Sequence, residues 1–307
     1  MRHSMFTKTR IAPTPSGYLH LGNVFNFLIT AALARQNKAT ILLRIDDLDQ
    51  SRTKRKYIED IFTTLRFLEI PWDEGPTDIL DFQKNWTQHN RISLYQDTLN
   101  SLVIKNQLFS CNCSRKKVGR ESRDLSYPGI CLSKNLSLKE KDRNWRIKIA
   151  MGEVADVKQI GGTIIPSRLP PALQYFIVKK KDGLPAYQLA SVIDDIYFGV
   201  DTIIRGKDLQ SSTIAQILLA DKIHHNQFKD TAFYHHPLIM ASQHLKLSKS
   251  AGSTSIFYMR QHGVTKAAIY QEISRLLLLP ELISDFNDFV QLFNRGIILN
   301  NNLILKK

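Results

Sequence analysis

The chain has 307 residues, 43% of them hydrophobic, enough to bury a sizeable core in one large domain or two smaller ones. Its formal charge of +14 points to a polyanionic partner, of which nucleic acid is the commonest. A signal peptide and a membrane partner are excluded from the reading: the first residues lack an apolar region, no apolar run approaches the ~20 residues that span a bilayer, and three cysteines fit a reducing compartment, so a soluble cytoplasmic chain is expected.

The pattern along the chain predicts a strand over 9–12, then a loop punctuated by Pro13, Pro15 and Gly17. A helix over 23–36 carries Val24, Phe25, Phe27, Leu28, Ala31 and Leu33, and an apolar strand follows over 40–45. The next helix, over 54–68, keeps Tyr57, Ile58, Ile61, Phe62, Leu65 and Leu68 on one side. Strands alternating with helices imply βαβ units and a parallel sheet. A helix over 92–105 leads into a cysteine cluster, and the polar stretch 116–139, with Pro128 and Gly129, reads as an inserted module. Apolar pattern returns over 175–178 and, after a Lys-Lys-Lys-Asp-Gly turn, over 187–200; the region beyond Ser255 reads as helical.

Two segments carry chemistry. In Arg10-Ile-Ala-Pro-Thr-Pro-Ser-Gly-Tyr-Leu-His-Leu-Gly-Asn23 a strand runs into a Pro/Gly loop, with His20 and Gly22 at the mouth of a helix. Gly22 permits close backbone approach to a nucleotide, the helix start offers N–H groups and a positive dipole end, and His20 can bond phosphate oxygens. Alone, this would be no more than a Pro-rich turn with a surface histidine. The second segment, Lys246-Leu-Ser-Lys-Ser250, lies more than 220 residues further on and supplies two cations, Lys246 and Lys249, suited to charge on a leaving pyrophosphate.

In this order the two segments resemble the paired signatures of class I aminoacyl-tRNA synthetases, His-Ile-Gly-His and Lys-Met-Ser-Lys-Ser, with Asn23 in place of the second histidine. The likeness narrows to the glutamate and glutamine branch through Arg10-Ile-Ala-Pro-Thr-Pro-Ser-Gly17, Leu43-Arg-Ile-Asp-Asp-Leu-Asp49, Trp72-Asp-Glu-Gly75-Pro, Tyr187-Gln-Leu-Ala-Ser-Val-Ile-Asp-Asp195 and Arg205-Gly-Lys-Asp-Leu209. It implies that Arg10 and Arg205 bind the glutamate side-chain carboxylate, that Tyr187 contacts the substrate, and that Ala12 and Thr14 line the same pocket; planar guanidinium suits a carboxylate. It also implies ATP contacts for His20, Gly22, Asn23 and Lys249. Asp46 stands where glutamate enzymes of this branch carry glutamate facing the substrate ammonium, and glutaminyl enzymes similarly carry aspartate.

Cys111-Asn-Cys113 and Tyr127-Pro-Gly-Ile-Cys131 offer three thiolates and a phenol. With no histidine between His89 and His224, a local fourth ligand for a tetrahedral ion is oxygen. This spacing resembles the zinc site of the glutamyl-queuosine tRNA(Asp) synthetases, which implies a structural Zn2+ on Cys111, Cys113, Tyr127 and Cys131.

The expected architecture is an α/β, Rossmann-like parallel-sheet class I synthetase catalytic domain with a zinc-bearing insertion and a small C-terminal helical region. Its parts would be a first Rossmann-like half over 1–107, the insertion over 108–174, a second half over 175–255 with the 246–250 loop, and a helical region over 256–307. Because 55 residues follow Gly252, where full glutamyl and glutaminyl enzymes append anticodon-reading domains, the expected partners are ATP with Mg2+, glutamate, and tRNA(Asp) carrying queuosine. His20, Lys246 and Lys249 would be catalytic. Two alternatives stay open: a truncated glutamyl- or glutaminyl-tRNA synthetase charging the tRNA 3′ end, and a non-catalytic tRNA-binding paralogue.

Overall fold

The computed structural model describes residues 6–121, 126–223, 227–242, 245–246 and 255–300. It forms two compact units, the first within residues 1–90, 202–207 and 235–307 and the second within 91–201 and 208–234. Among the described residues no helix is long and apolar enough to cross a membrane.

The first unit opens with β1 (Lys8–Ile11), α1 (Leu21–Asn37) and β2 (Thr40–Leu43). β1 and β2 pair in parallel, Lys8 opposite Thr40 through Ile11 opposite Leu43, so α1 is the crossover helix of a βαβ unit. Val24, Leu28, Ala31 and Ala32 are buried without exposure above 1%. Such all-round burial marks a helix enclosed by neighbours. α1 begins two residues before the expected start because His20 caps it, and it ends where Lys38 turns into the left-handed region at φ 54°.

α2 (Arg55–Phe67) buries Ile58, Ile61, Phe62 and Leu65 as its 3.6-residue period predicts, together with Asp60, which the period does not explain. Beyond it lies the single turn α3 (Ile79–Asp81). The Trp72–Pro76 stretch runs along β2: Asp73 N–H donates to Ile41 O at 2.8 Å, and the Asp73 carboxylate accepts from Ile41 N–H at 2.8 Å. Gly75 is required there, since at φ 111° a Cβ would lie 2.3 Å from the carbonyl oxygen of Leu43.

The second unit is built on α4 (Ile92–Ile104), β3 (Leu108–Cys111), α5 (Arg115–Glu121), β4 (Asn144–Ile147), β5 (Val154–Lys158), β6 (Ile164–Arg168), β7 (Ile177–Lys179) and α6 (Tyr187–Tyr197). β3, β4 and β7 form an antiparallel sheet in that order, and β5 and β6 a separate hairpin. The apolar pattern over 175–178 meets β7 only from Ile177, since Tyr175 sits in the left-handed region at φ 55°, which a strand does not include.

After β8 (Thr202–Gly206) in the first unit and α7 (Gln210–Ala220) in the second, β9 (Ala232–His236) runs from the second unit into the first. β10 (Met240–Ser242), β11 (Leu245–Lys246), α8 (Ile256–Gln261), α9 (Lys266–Leu276), α10 (Phe286–Asn294) and α11 (Ile297–Asn300) complete the first unit. Among the described residues, the stretch 256–300 is mainly helical, as expected. α9 docks through the fully buried Tyr270, whose hydroxyl donates to Leu68 O at 2.7 Å. α10 packs on α1, Phe289 against Phe25 at 6.5 Å between ring centroids.

Within the second unit α4 is fastened to α6 by buried charge. Arg91 donates twice to Asp194, Nε to Oδ1 at 2.8 Å and Nη2 to Oδ2 at 3.1 Å, and Tyr95 donates its hydroxyl to Oδ1 at 2.6 Å. None of the three is more than 6% exposed. Burial and the adjacent carboxylate raise the Tyr95 pKa, so its proton stays on and donates. Replacing Asp194 with Asn leaves the Arg91 cation buried without a counter-charge, and urea denaturation is expected to show a loss of about 3 kcal/mol or more. The double variant Arg91→Met/Asp194→Leu should recover most of it; an unaffected Asp194→Asn would show that water, not Asp194, compensates Arg91.

Candidate active site and metal centre

The loop after β1 is stitched to the chain leaving β2. Arg44 N–H donates to Ile11 O at 2.9 Å and Asp46 N–H to Pro13 O at 3.0 Å. Ala12 and Thr14 are half-buried in this loop. Arg10, 6% exposed, turns inward and donates from Nη1 to Ile204 O at 3.4 Å, a long bond that sets its guanidinium against β8 one residue from Arg205. Arg205 is 2% exposed. The two arginines singled out from motifs 195 positions apart thus lie on neighbouring strands of one unit.

Burial, with the cationic Arg205 and His236 nearby, pushes His235 down to about 4, so its imidazole is neutral near pH 7. His236 is buried with Nδ1 2.8 Å from Pro237 O and Nε2 3.1 Å from Asn26 Oδ1. Sequence reasoning missed both histidines. The only signal was their adjacency at the end of an apolar run before Pro237.

Asp46 is gripped by Arg44 through two parallel bonds, Nε to Oδ1 at 2.7 Å and Nη2 to Oδ2 at 3.1 Å. A carboxylate has about four lone-pair sites, so this pairing leaves room for an ammonium while fixing the carboxylate's orientation. The neighbouring Asp47, unremarked in the sequence, is 3% exposed and accepts from Thr87 Oγ1 at 2.5 Å and Gln88 N–H at 2.8 Å. It pins the loop that presents Asp46.

At the start of α1, His20 is the N-cap. Its Nδ1 accepts from Gly22 N–H at 3.1 Å and Asn23 N–H at 3.3 Å, while Asn23 Oδ1 accepts from His20 N–H at 3.1 Å. This reciprocal capping box uses histidine where serine or threonine is usual. An imidazole that accepts at Nδ1 and is neutral carries its proton on Nε2, so His20 faces outward as a donor. The arrangement also accounts for Gly22, since a Cβ there would come within 3.1 Å of the His20 ring.

Tyr187 is the first residue of α6, 46% exposed, and belongs to the second unit. The Lys246 backbone lies in β11, opposite Met240, while Lys249 lies outside the described residues.

The cysteines form one buried cluster. Cys111 ends β3, and the Sγ atoms of Cys111, Cys113 and Cys131 all lie within 4.8 Å of one another. Cys113 and Cys131 sulfurs are 3.5 Å apart, Cys111 Sγ donates to the Tyr127 hydroxyl at 3.3 Å, and that oxygen accepts from Cys131 N–H at 2.9 Å. The phenol is held in place: the Arg146 guanidinium stands 3.6 Å from its ring centroid and Phe109 stacks alongside. Burial and the neighbouring sulfurs push the Cys113 thiol up to about 11. Against burial, hydrogen bonds from Tyr127 and the Asn112 backbone, with the neighbouring thiols, pull Cys131 the other way, and three clustered thiols form a donor set that fits a thiolate-bound metal ion.

Residues 7–296 match the family described as "tRNA synthetases class I (E and Q), catalytic domain". The chain is 34% identical to a glutamyl-Q tRNA(Asp) synthetase of Symbiobacterium thermophilum, over 87% of this chain and 85% of that protein. It is 31% identical to a glutamate–tRNA ligase of Syntrophus aciditrophicus, over 88% of this chain but 57% of the ligase. The fold is that of the glutamate-tRNA synthetase of Elizabethkingia anophelis, with a TM-score of 0.73 over 93% of this chain and 65% of that one at 21% identity.

Proposed function

The chain belongs to the class I glutamyl- and glutaminyl-tRNA synthetase catalytic-domain family, and we propose that it activates glutamate with ATP and esterifies the product to queuosine in the anticodon of tRNA(Asp). The observation that carries the choice of amino acid is the pair of buried arginines. Arg10, bonded to the Ile204 carbonyl beside Arg205, gives the first unit two buried guanidinium groups on neighbouring strands, and planar guanidinium suits a side-chain carboxylate. The neutral His235 adds no further positive charge beside Arg205. On this reading Ala12 and Thr14 line the glutamate pocket, Asp46 takes the ammonium, and Tyr187 contacts the substrate.

In the first step an α-carboxylate oxygen of glutamate attacks the α-phosphorus of ATP in line. The P–O bond to pyrophosphate breaks as the new one forms, giving glutamyl-adenylate. His20 donates from Nε2 to phosphate, and the first turn of α1, with Gly22 and Asn23, offers its N–H groups to the nucleotide. Lys246 and Lys249 meet the charge that develops on pyrophosphate, so their contribution belongs to the transition state. Mg2+ accompanies ATP, and no side chain is assigned to it. In the second step a hydroxyl of the queuosine cyclopentene diol attacks the acyl carbonyl and releases AMP. The likeness to the Symbiobacterium protein over most of its length supports this acceptor, and so does the Cys-x-Cys, Tyr-x-x-x-Cys donor set. Zinc on Cys111, Cys113, Tyr127 and Cys131 would fill the sulfur cluster as a closed structural site. Tetrahedral bonds of about 2.3 Å separate thiolates by roughly 3.8 Å, a spacing compatible with the cluster.

Glutamate is expected to support ATP–pyrophosphate exchange without tRNA, and Lys249→Ala to slow it roughly 100-fold, about 2.7 kcal/mol of transition-state stabilisation. An undiminished rate would remove Lys249 from the mechanism, and faster exchange with glutamine would reverse the amino-acid assignment. Elemental analysis should find one zinc per chain, lost in Cys113→Ser with destabilisation of the second unit; metal-free protein with three titratable thiols would refute the site. The acceptor is tested with labelled glutamate and tRNA from cells with and without queuosine, followed by nuclease digestion. Label confined to queuosine is the expected result; label on the 3′ nucleoside of both pools would identify a tRNA-charging enzyme.

A further inference from the structure

The second unit holds a cavity of about 760 Å³ that the proposed reaction does not use. Alternate residues of a strand share a face, and Asn144 and Arg146 of β4 both line the cavity, with Ile177 of β7 opposite Arg146 across the strand pairing. Val118 of α5 and Phe176 add apolar wall, and the turn after β7 adds Lys180, Lys181 and Asp182. The lining residues run from Cys113 to Asp182, all within this one unit.

Arg146 stands out among them. It is 8% exposed, yet among the described residues it makes no ion pair. Its Nη1 donates to Tyr175 O at 2.8 Å and its face covers the Tyr127 ring, while Nε is shielded from water and has no hydrogen-bond partner. A guanidinium withdrawn from water without a counter-charge is costly, and an anion that reaches it removes the cost. Lys180 is bonded to Asp182 at 2.9 Å, whereas the exposed Lys181 makes no ion pair among the described residues and supplies a second cation. The Asn144 side chain is likewise without a hydrogen bond among the described residues, so its amide offers donors and an acceptor together.

These groups select one ligand chemistry. The Arg146 fork and the Lys181 ammonium suit phosphate oxygens. Val118, Phe176 and Ile177 suit a flat ring that sheds water on entry, and the Asn144 amide can bond the edge of a base. The cavity is of the size that holds small molecules, roughly 300–1,000 Å³, far more than a lone phosphate needs. We propose that it binds a nucleoside monophosphate unit, with the phosphate on Arg146 and Lys181 and the base against Val118 and Ile177. Such a unit has two sources, a free nucleotide and one residue of an RNA strand, which present the same groups. None of the residues assigned to glutamate activation takes part, so the site does not rest on that reading; it shares only Cys113 and Tyr127 with the metal centre.

The test is calorimetric titration of the full chain with AMP, CMP, GMP and UMP, a non-hydrolysable ATP analogue being present to fill any adenylate-forming site. At least one monophosphate should bind with one site per chain, and its nucleoside at least about tenfold more weakly. Lys181→Glu, at an exposed position, should weaken binding about fivefold or more. Ala172→Trp, which fills the cavity from another exposed position, should abolish it. Both variants should keep the wild-type melting temperature and metal content, so that neither unfolding nor loss of the metal centre explains the result. Arg146→Gln should also abolish binding, and if that variant does not fold the other two decide. A short single-stranded oligoribonucleotide that binds more tightly than its monophosphate, and is lost in Ala172→Trp, assigns the site to a strand; monophosphate binding alone assigns it to a free nucleotide. Inorganic phosphate binding as tightly as every monophosphate, or binding untouched by Lys181→Glu and Ala172→Trp, would overturn the site. So would no binding of any monophosphate or oligonucleotide, the result expected if Arg146 only balances the charge of the metal centre.

Discussion

The interaction on which the start of the βαβ unit depends is the cap on α1. A helix that starts at the head of a parallel βαβ unit leaves its first N–H groups pointing outward, and those groups must be satisfied or offered to a ligand. Here the imidazole of His20 takes two of them at Nδ1, and Asn23 returns a bond to the His20 N–H. The ring is thereby fixed in orientation and in tautomer before any substrate arrives. The helix start follows from that one constraint.

Charge in the interior is arranged with equal economy. The chain is strongly basic, yet several of its arginines are withdrawn from the surface. Arg44 is matched to Asp46, Arg91 to Asp194, and Arg146 to the Tyr127 ring and the Tyr175 carbonyl, which its Nη1 reaches at 2.8 Å. Arg10 and Arg205 are buried on β1 and β8, where Arg10 donates to the Ile204 carbonyl. Paired arginines such as Arg44 and Arg91 hold elements together.

The sulfur cluster follows a different logic. Three thiols and a phenol lie in the second unit where β3 ends, packed with Phe109 and Tyr175. The three sulfurs lie close enough together to hold a metal ion. Such an ion would tie this part of the chain together where the sequence offers few apolar side chains.

The sequence by itself determined the local elements and the inventory of chemistry. The 3.6-residue period placed α1, α2 and α4 to within two residues, because burial of one face is a property of neighbouring positions. The Cys-x-Cys and Tyr-x-x-x-Cys spacings marked a ligand set that the fold gathers, since short spacings survive folding as short distances. Long-range choices were invisible to it. Nothing in a run of residues says that Arg91 takes Asp194, that Asp60 on an apolar face answers Arg260, or that Phe257 lies flat on Tyr18. A charge or a ring has many admissible partners in sequence and one in space, and that selection is made only when distant segments pack. The placement of Arg10 against the strand that carries Arg205, 195 positions away, came from packing.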